Sequence, residues 1–219
     1  MENAANGRDS RQDMSGAAPN DAGLTPASLF ALDYLPVPGD LSDYVTTFYH
    51  FRCDEPVIRD IQPAAVGHLT LFPCGRGAME FTDGRRDLSH EVNLLTPFSQ
   101  AAPFAMTGPF HAIGAVLTPL GWTALTGLAA DEHANRLYPA CDWLGGECEE
   151  LGAILCQEYR DGAKSGTQCA TELGAFIADN LRDVSDSHAD LIALTNRWLG
   201  GALDPNVEDL FAAAPYSRR

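Results

Sequence analysis

The sequence predicts an α+β fold, in which a small β-barrel is followed by helices and a short C-terminal helical unit. Between residues 35 and 119, short runs of β-branched and aromatic residues alternate with Gly and Pro, a pattern typical of a sandwich or small barrel. After Pro119, apolar residues recur with the helical period of 3.6. The 219 residues suffice for one sizeable domain with a small second unit.

Composition and periodicity divide the chain into four segments. Residues 1–23 are rich in Asn, Asp, Gly, Ala and Ser, and we expect a disordered tail because they bury too little apolar surface to offset the entropy of ordering. Residues 24–120 are predicted to form the β-barrel domain and residues 121–186 a helical extension. The last segment, residues 187–219, is a separate helical unit.

The individual elements follow from local patterns. A short helix is expected from Thr25 to Phe30, where Thr-Pro suits a helix start. Dense β-branched and aromatic runs predict strands at 44–51, 66–72, 77–82, 91–96 and 111–117. Apolar stripes at helical spacing predict helices over 122–128, 144–159 and 173–181.

The C-terminal segment contains the most informative pattern. Apolar residues of 191–199 form one helix face, and Asp204 with the following proline starts a second short helix. Ser217 is placed to cap a third helix that opens with Arg218 and Arg219. This order is the layout of a helix-turn-helix, whose last helix contacts bases and phosphates with its first residues. The alternative is a helical hairpin that completes an ordinary globular domain.

These residues resemble a known family. The stretches 191–199, 203–210 and 214–219 resemble the start of the DNA-binding domain of AraC-type (AraC/XylS) bacterial transcriptional regulators. Softer similarity to the sensory domain of one subgroup lies at 63–68, 83–85, 108–111 and 117–122. The resemblance spans about residues 35–219. It implies a cupin-like sensory or dimerising barrel, and DNA contacts by Ser217, Arg218 and Arg219.

The chain departs from the family pattern at its C-terminus. The family has two helix-turn-helix units, whereas residues 187–219 contain the beginning of one. We therefore expect a chain truncated within the first helix-turn-helix, with most of the DNA-contacting surface missing. The net charge of −16 agrees with this expectation, because binding to phosphates requires Lys and Arg.

Strand alternation indicates a small-molecule pocket inside the barrel. The candidate pocket residues are Tyr49, His68, Phe72 and His111, and the alternative for each is plain core packing. Histidines are scattered and form no His-x-His pair, so no metal site and no cofactor are predicted. The sequence contains no GxSxG, HExxH or Walker A motif, so we predict no catalytic residues and no enzyme activity.

Location and partners follow from the same observations. No apolar run approaches the ~20 residues that span a bilayer, and the N-terminus has no signal-peptide core, so a cytoplasmic protein without membrane contact is expected. The six cysteines form no CxxC pair and are best explained as core residues. The expected partners are DNA through a complete C-terminal domain, a small-molecule effector and a second copy in a homodimer. The rival hypothesis is a small-molecule-binding or dimerisation module that does not bind DNA.

Overall fold

The computed structural model describes residues 23–214, which form a mixed structure of one antiparallel sheet and several helices. The strands are β1 (Ala31–Leu35), β2 (Val45–Cys53), β3 (Val57–Gln62), β4 (His68–Glu80), β5 (Arg86–Leu88), β6 (Val92–Leu95), β7 (Ala102–Leu117) and β8 (Leu137–Pro139). The helices are α1 (Pro119–Thr126), α2 (Cys141–Leu144), α3 (Gly146–Arg160), α4 (Gly166–Asn180), α5 (Asp186–Gly201) and α6 (Val207–Ala213). The α+β prediction is therefore confirmed at the level of a mixed fold with an antiparallel sheet.

Two long strands organise the sheet. Its order is β1-β2-β7-β4-β6-β8, while β3 pairs with the first half of β7 and β5 with the last residues of β4. The pairing of β4 with β7 shifts register twice between Leu71 and Arg76. Such bulges bend a strand and increase its twist, so the sheet curls on itself. Gly75 has φ +77°, and a Cβ there would lie 2.6 Å from the carbonyl oxygen of Thr107.

This bend corrects one sequence prediction. The strand predicted at 66–72 was expected to end at Pro73, Cys74 and Gly75. In the structure, β4 runs through these residues as one strand of 13 residues. A bulge interrupts the regular hydrogen-bond ladder, so a proline without an N–H and a glycine with positive φ are both tolerated there.

The two faces of the sheet have different partners. One face, here called the helix-covered face, packs against α1, α3 and α4 and forms the main core. Its buried side chains include Val45, Phe48, Leu69, Leu71, Leu94, Ile113, Ala115 and Leu117, together with Leu155, Leu173 and Ile177 from the helices. The opposite face, here called the inner face, curls around a cavity. Because strand side chains alternate, even-numbered residues of β7, and of β4 from His68 to Phe72, lie on the inner face.

Helix boundaries follow from capping chemistry. The Ser165 side chain accepts a hydrogen bond from the Gln168 backbone N–H, and the Gln168 side-chain oxygen accepts one from the Ser165 backbone N–H, which forms a capping box at the start of α4. Thr118 caps α1, whose first residue is Pro119, and Gly127 ends it with φ +68°. Gly145, with φ +84°, separates α2 from α3, so the predicted 144–159 helix begins at Gly146.

Other elements differ from the sequence prediction. The helix expected at 25–30 is a single 3-10 turn, Ala27–Leu29, and β1 follows it directly. Strands β1, β3, β5 and β8 were not predicted, and β8 lies inside the segment 121–186 that was expected to be helical. Two of these strands have three residues each, too few to show an alternating pattern. The expected tail at 1–23 lies outside the described residues except for Gly23.

Most of the cysteine side chains lie in the protein core. Cys53, Cys148, Cys156 and Cys169 are buried, and burial raises the pKa of Cys148 and Cys156 to about 12 and that of Cys169 to about 11. The thiols of Cys148, Cys156 and Cys169 therefore stay protonated at neutral pH. Across residues 23–214, no helix combines the length and apolar character that a membrane span needs.

Candidate functional site

The inner face of the sheet encloses a cavity of about 370 Å³. Its wall is mainly aromatic and aliphatic, and the phenyl rings come from Phe51, Phe72, Phe104 and Phe110. Phe72 and Phe110 pack edge to face with ring centroids 4.9 Å apart, which fixes this part of the wall. A largely apolar cavity of this volume falls within the range of small-molecule sites in proteins.

A compact polar cluster interrupts this apolar wall. The Tyr49 hydroxyl lies 3.1 Å from Thr70 Oγ1 and 3.4 Å from His68 Nδ1. Thr70 is 2% exposed, and its hydroxyl has Tyr49 as hydrogen-bond partner. Within residues 23–214, no protein group forms a hydrogen bond with His68 Nε2. The cluster therefore presents one imidazole nitrogen that is available to a bound molecule.

Burial keeps this cluster uncharged. Desolvation raises the pKa of Tyr49 to about 12, and the hydrogen bond with Thr70 opposes that rise. Desolvation also lowers the pKa of His68 to about 4. At neutral pH, both side chains can therefore exchange hydrogen bonds with a ligand but carry no charge to attract one.

Gly114 makes the cluster geometrically feasible. It lies on β7 opposite Tyr49 of β2 on one side and Thr70 of β4 on the other. A Cβ at Gly114 would lie 2.5 Å from Tyr49 Cζ and 2.6 Å from its hydroxyl oxygen. The missing side chain thus lets the tyrosine ring cross β7 and reach Thr70 and His68 on the next strand.

Asn93 on β6 forms another polar part of the wall. Its side-chain oxygen accepts from the His90 backbone N–H, and its amide donates to the His90 carbonyl, both at 2.8 Å. The residue is 0% exposed. Because its oxygen and nitrogen already bind the backbone, Asn93 shapes the cavity more than it offers a contact to a ligand.

Three of the four predicted pocket residues lie at this cavity. Tyr49, His68 and Phe72 contribute to its wall, whereas His111 does not. His111 has the strand parity of Ile113, so it lies on the helix-covered face of β7. The prediction placed all four residues together because sequence alternation does not reveal which face of each strand points inward.

His111 instead joins a hydrogen-bonded cluster beneath α3. The Tyr159 hydroxyl lies 2.8 Å from both His50 Nε2 and His111 Nδ1, and His111 Nε2 lies 3.2 Å from Asp54 Oδ1. Burial, then the nearby Arg52 charge, lowers the pKa of His50, and burial raises that of Tyr159 to about 12. This cluster fastens the last turn of α3 to β2 and β7.

Several residues of the site were missed by sequence reasoning, namely Thr70, Asn93, Met106, Phe110 and Gly114. Two of them left a signal. Thr70 lies between His68 and Phe72 with the same parity, and a glycine in the middle of an apolar strand indicates a close approach of another group. Met106 and Phe110 belong to a part of β7 that was not predicted as strand.

The described residues include neither a cluster that could bind a metal ion nor the predicted DNA-contacting residues. In the described part of the chain, no three His, Cys, Asp or Glu side chains come together in a way that could hold a metal ion. Ser217, Arg218 and Arg219, the predicted DNA-contacting residues, lie outside residues 23–214. Helix α5 includes the predicted helix at 191–199, but α6 is capped by Asn206 and begins at Val207, so the start predicted at Asp204 and the following proline was wrong.

Comparison with known proteins gives distant structural likeness alone. No protein-family model matches the chain, and no curated protein matches its sequence. The AraC-like transcriptional activator CuxR is similar over 87% of this chain and 78% of its own, with 11% identity and a TM-score of 0.39. A deletion mutant of Bacillus subtilis oxalate decarboxylase is similar over 46% of this chain and 33% of its own, with 14% identity and a TM-score of 0.29. At this level of similarity, the comparisons assign neither a family nor an activity to the chain.

Proposed function

We propose that the cavity binds a small molecule and that the chain is the sensing part of a cytoplasmic bacterial transcription regulator. The observation that carries the ligand site is the apolar cavity with one polar cluster, formed by Tyr49, His68 and Thr70. A few convergent polar groups in an apolar wall are the usual composition of a small-molecule site, where apolar contact gives affinity and polar contact gives orientation.

The regulator part of the proposal is supported by the C-terminal segment. Its sequence resembles the start of an AraC-type DNA-binding domain, and Asn206 caps α6 by accepting a hydrogen bond from the Glu208 backbone N–H. Leu199, Leu203 and Val207 are 55%, 108% and 47% exposed on this helical pair. In the proposal, a third helix that begins at Ser217 covers them, as the last helix of a helix-turn-helix packs on the first two.

DNA contact is proposed for the complete regulator. Ser217 would cap the recognition helix, and Arg218 and Arg219 would lie at phosphates or base edges. The charge of −16 means that the rest of this chain repels DNA, so the attraction must come from the DNA-binding unit itself. A homodimer would bind two half-sites, as two-fold regulators do.

The proposal contains no catalytic step. His68 has a low pKa, and no carboxylate forms a hydrogen bond with it among the described residues, so it is a weak base without an orienting partner. The second candidate function is a ligand-binding or dimerisation module that does not contact DNA. The strong negative charge favours this candidate.

The test uses the complete gene product and the DNA upstream of its own gene. We expect specific binding that responds to a cavity ligand, measured by fluorescence anisotropy over a range of salt concentrations. Replacing Arg218 and Arg219 by Ala should weaken binding by about 1–3 kcal/mol per base contact or lower the salt slope by about 1 per phosphate contact. The control is Arg86→Ala on exposed strand β5, which removes one positive charge and is compared with each single arginine variant.

The two candidate functions give opposite results. The regulator predicts that the arginine variant loses affinity while the Arg86→Ala control does not. Unchanged operator affinity and salt slope in the arginine variant would refute the DNA contacts. If the complete gene product shows no specific DNA binding but binds ligands or pairs with itself, the second candidate replaces the first.

A further inference from the structure

The charge inventory of the cavity wall limits what can bind there. Its titratable residues are Tyr34 and Tyr49 from the first two strands, Asp60 from β3 and His68 from β4. No Lys or Arg contributes to the wall among the described residues, so nothing there offers a permanent positive charge to an anion. Among the residues that the structure describes, Asp60 is the single acidic residue of the wall.

The polar cluster limits the number of hydrogen bonds a ligand can form deep in the cavity. The Tyr49 hydroxyl and Thr70 Oγ1, 3.1 Å apart, form a hydrogen bond with each other. The side chain of Asn93 forms its hydrogen bonds with the His90 backbone. His68 Nε2 remains, next to the shared Tyr49 hydroxyl. A molecule with many hydroxyl or charged groups would therefore leave most of them buried without partners, which is costly.

We propose that the ligand is an uncharged, mainly apolar molecule with an aromatic or similarly flat body and one hydrogen-bonding group directed at His68 Nε2. This inference rests on the proposed function of the cavity as a ligand site. The rings of Phe51, Phe72, Phe104 and Phe110 supply contact surface for the flat body. The imidazole fixes its orientation.

The same arrangement discriminates against carboxylates. A carboxylate in the cavity would have to lose its solvation without a cation, or His68 would have to take up a proton. Because burial lowers the pKa of His68 to about 4, that protonation is disfavoured by about a thousandfold at pH 7. The attraction between the resulting charges recovers part of this factor, so we expect a carboxylate to bind at least about tenfold more weakly than its neutral counterpart.

The test is isothermal titration calorimetry with probes of nearly equal size, namely p-xylene, 4-methylbenzyl alcohol and 4-methylbenzoate. The alcohol should bind most tightly, exceed p-xylene by about fivefold to tenfold through one hydrogen bond, and exceed the benzoate at least as strongly. Titration in two buffers with different ionisation enthalpies should show no proton uptake with the alcohol, because His68 and Tyr49 are uncharged at neutral pH and stay so with an uncharged ligand.

Two variants locate the effect. His68→Phe should reduce alcohol binding to the level of p-xylene and leave p-xylene binding nearly unchanged. His111→Gln is the matched control, since that histidine lies on the helix-covered face, and it should leave binding of all three probes as it is. Binding is measured at a temperature at which circular dichroism shows every variant to be folded.

The outcomes separate the inference from the function on which it rests. Benzoate binding as tight as alcohol binding, with proton uptake, would overturn the neutral-ligand inference and leave the cavity as a ligand site. Alcohol binding that survives His68→Phe but falls in His111→Gln would overturn the assigned orientation. Binding of none of the probes, p-xylene included, would overturn both the inference and the proposed ligand site.

Discussion

The Gly114→Ala variant isolates the contact on which the cavity cluster depends. The added Cβ would lie 2.5 Å from Tyr49 Cζ, so the ring must leave its position across β7. Overpacking of this kind costs about 1–3 kcal/mol, and the displaced hydroxyl gives up a hydrogen bond with Thr70 that contributes about 1 kcal/mol. The lower conformational entropy of Ala in the unfolded chain returns about 0.4–1 kcal/mol. The expected net loss in the free energy of unfolding is about 2 kcal/mol.

Urea denaturation followed by circular dichroism measures this loss. The matched control is Gly200→Ala on α5, where a Cβ meets nothing within 4 Å, and it should stabilise the protein by about 0.5–1 kcal/mol. A second background, Tyr49→Val, removes the ring that crosses β7. In that background, Gly114→Ala should cost almost nothing, which gives a coupling energy of about 1–3 kcal/mol.

Two results would contradict the contact between Gly114 and Tyr49: a Gly114→Ala variant as stabilised as Gly200→Ala, or a Gly114→Ala cost that is the same with and without the Tyr49 ring. Either result would mean that the tyrosine does not lie across Gly114. The cavity cluster would then have another geometry.

Two further predictions concern the histidines. The pKa of His68 is about 4 in the folded protein and about 6.5 in the unfolded chain, so the unfolded state binds more protons between these two pH values. The free energy of unfolding should therefore fall by up to about 3 kcal/mol as the pH drops from 6.5 to 4. His68→Gln should remove this part of the pH dependence, which urea unfolding measured at a series of acid pH values would show. Tyr159→Phe removes the hydroxyl that hydrogen-bonds to His50 and His111, and it should lower the free energy of unfolding by about 1–3 kcal/mol. The control Tyr34→Phe, at a residue that is 71% exposed, should change the free energy of unfolding by less than about 0.5 kcal/mol. Equal effects of the two variants would contradict the hydrogen bonds assigned beneath α3.

The sequence predicted those features that depend on local pattern. The change of period after Pro119 located the helices, since α1 begins at Pro119 and α3 and α4 carry the expected apolar stripes. Alternation was enough to place His68 and Phe72 on one face of β4, because this part of the strand has a regular period of two.

The features that were missed depend on long-range pairing. Gly114 matters because it lies between Tyr49 and Thr70, residues more than 40 positions away along the chain, and no local pattern contains that register. His111 was assigned to the pocket because alternation along β7 does not reveal which of its two faces points inward, and that face is set by the pairing with β2 and β4. Short strands such as β5 and β8 exist because they pair with β4 and β6, and their own residues do not specify them.

The most direct test of the ligand site is a crystal structure of the protein soaked in 4-methylbenzyl alcohol. We expect density for the probe inside the cavity, with its ring against Phe72 and Phe110 and its hydroxyl within about 3 Å of His68 Nε2. Density for the probe only at other surfaces, with the cavity closed by its own side chains, would contradict the central claim that this barrel is built to hold a small molecule.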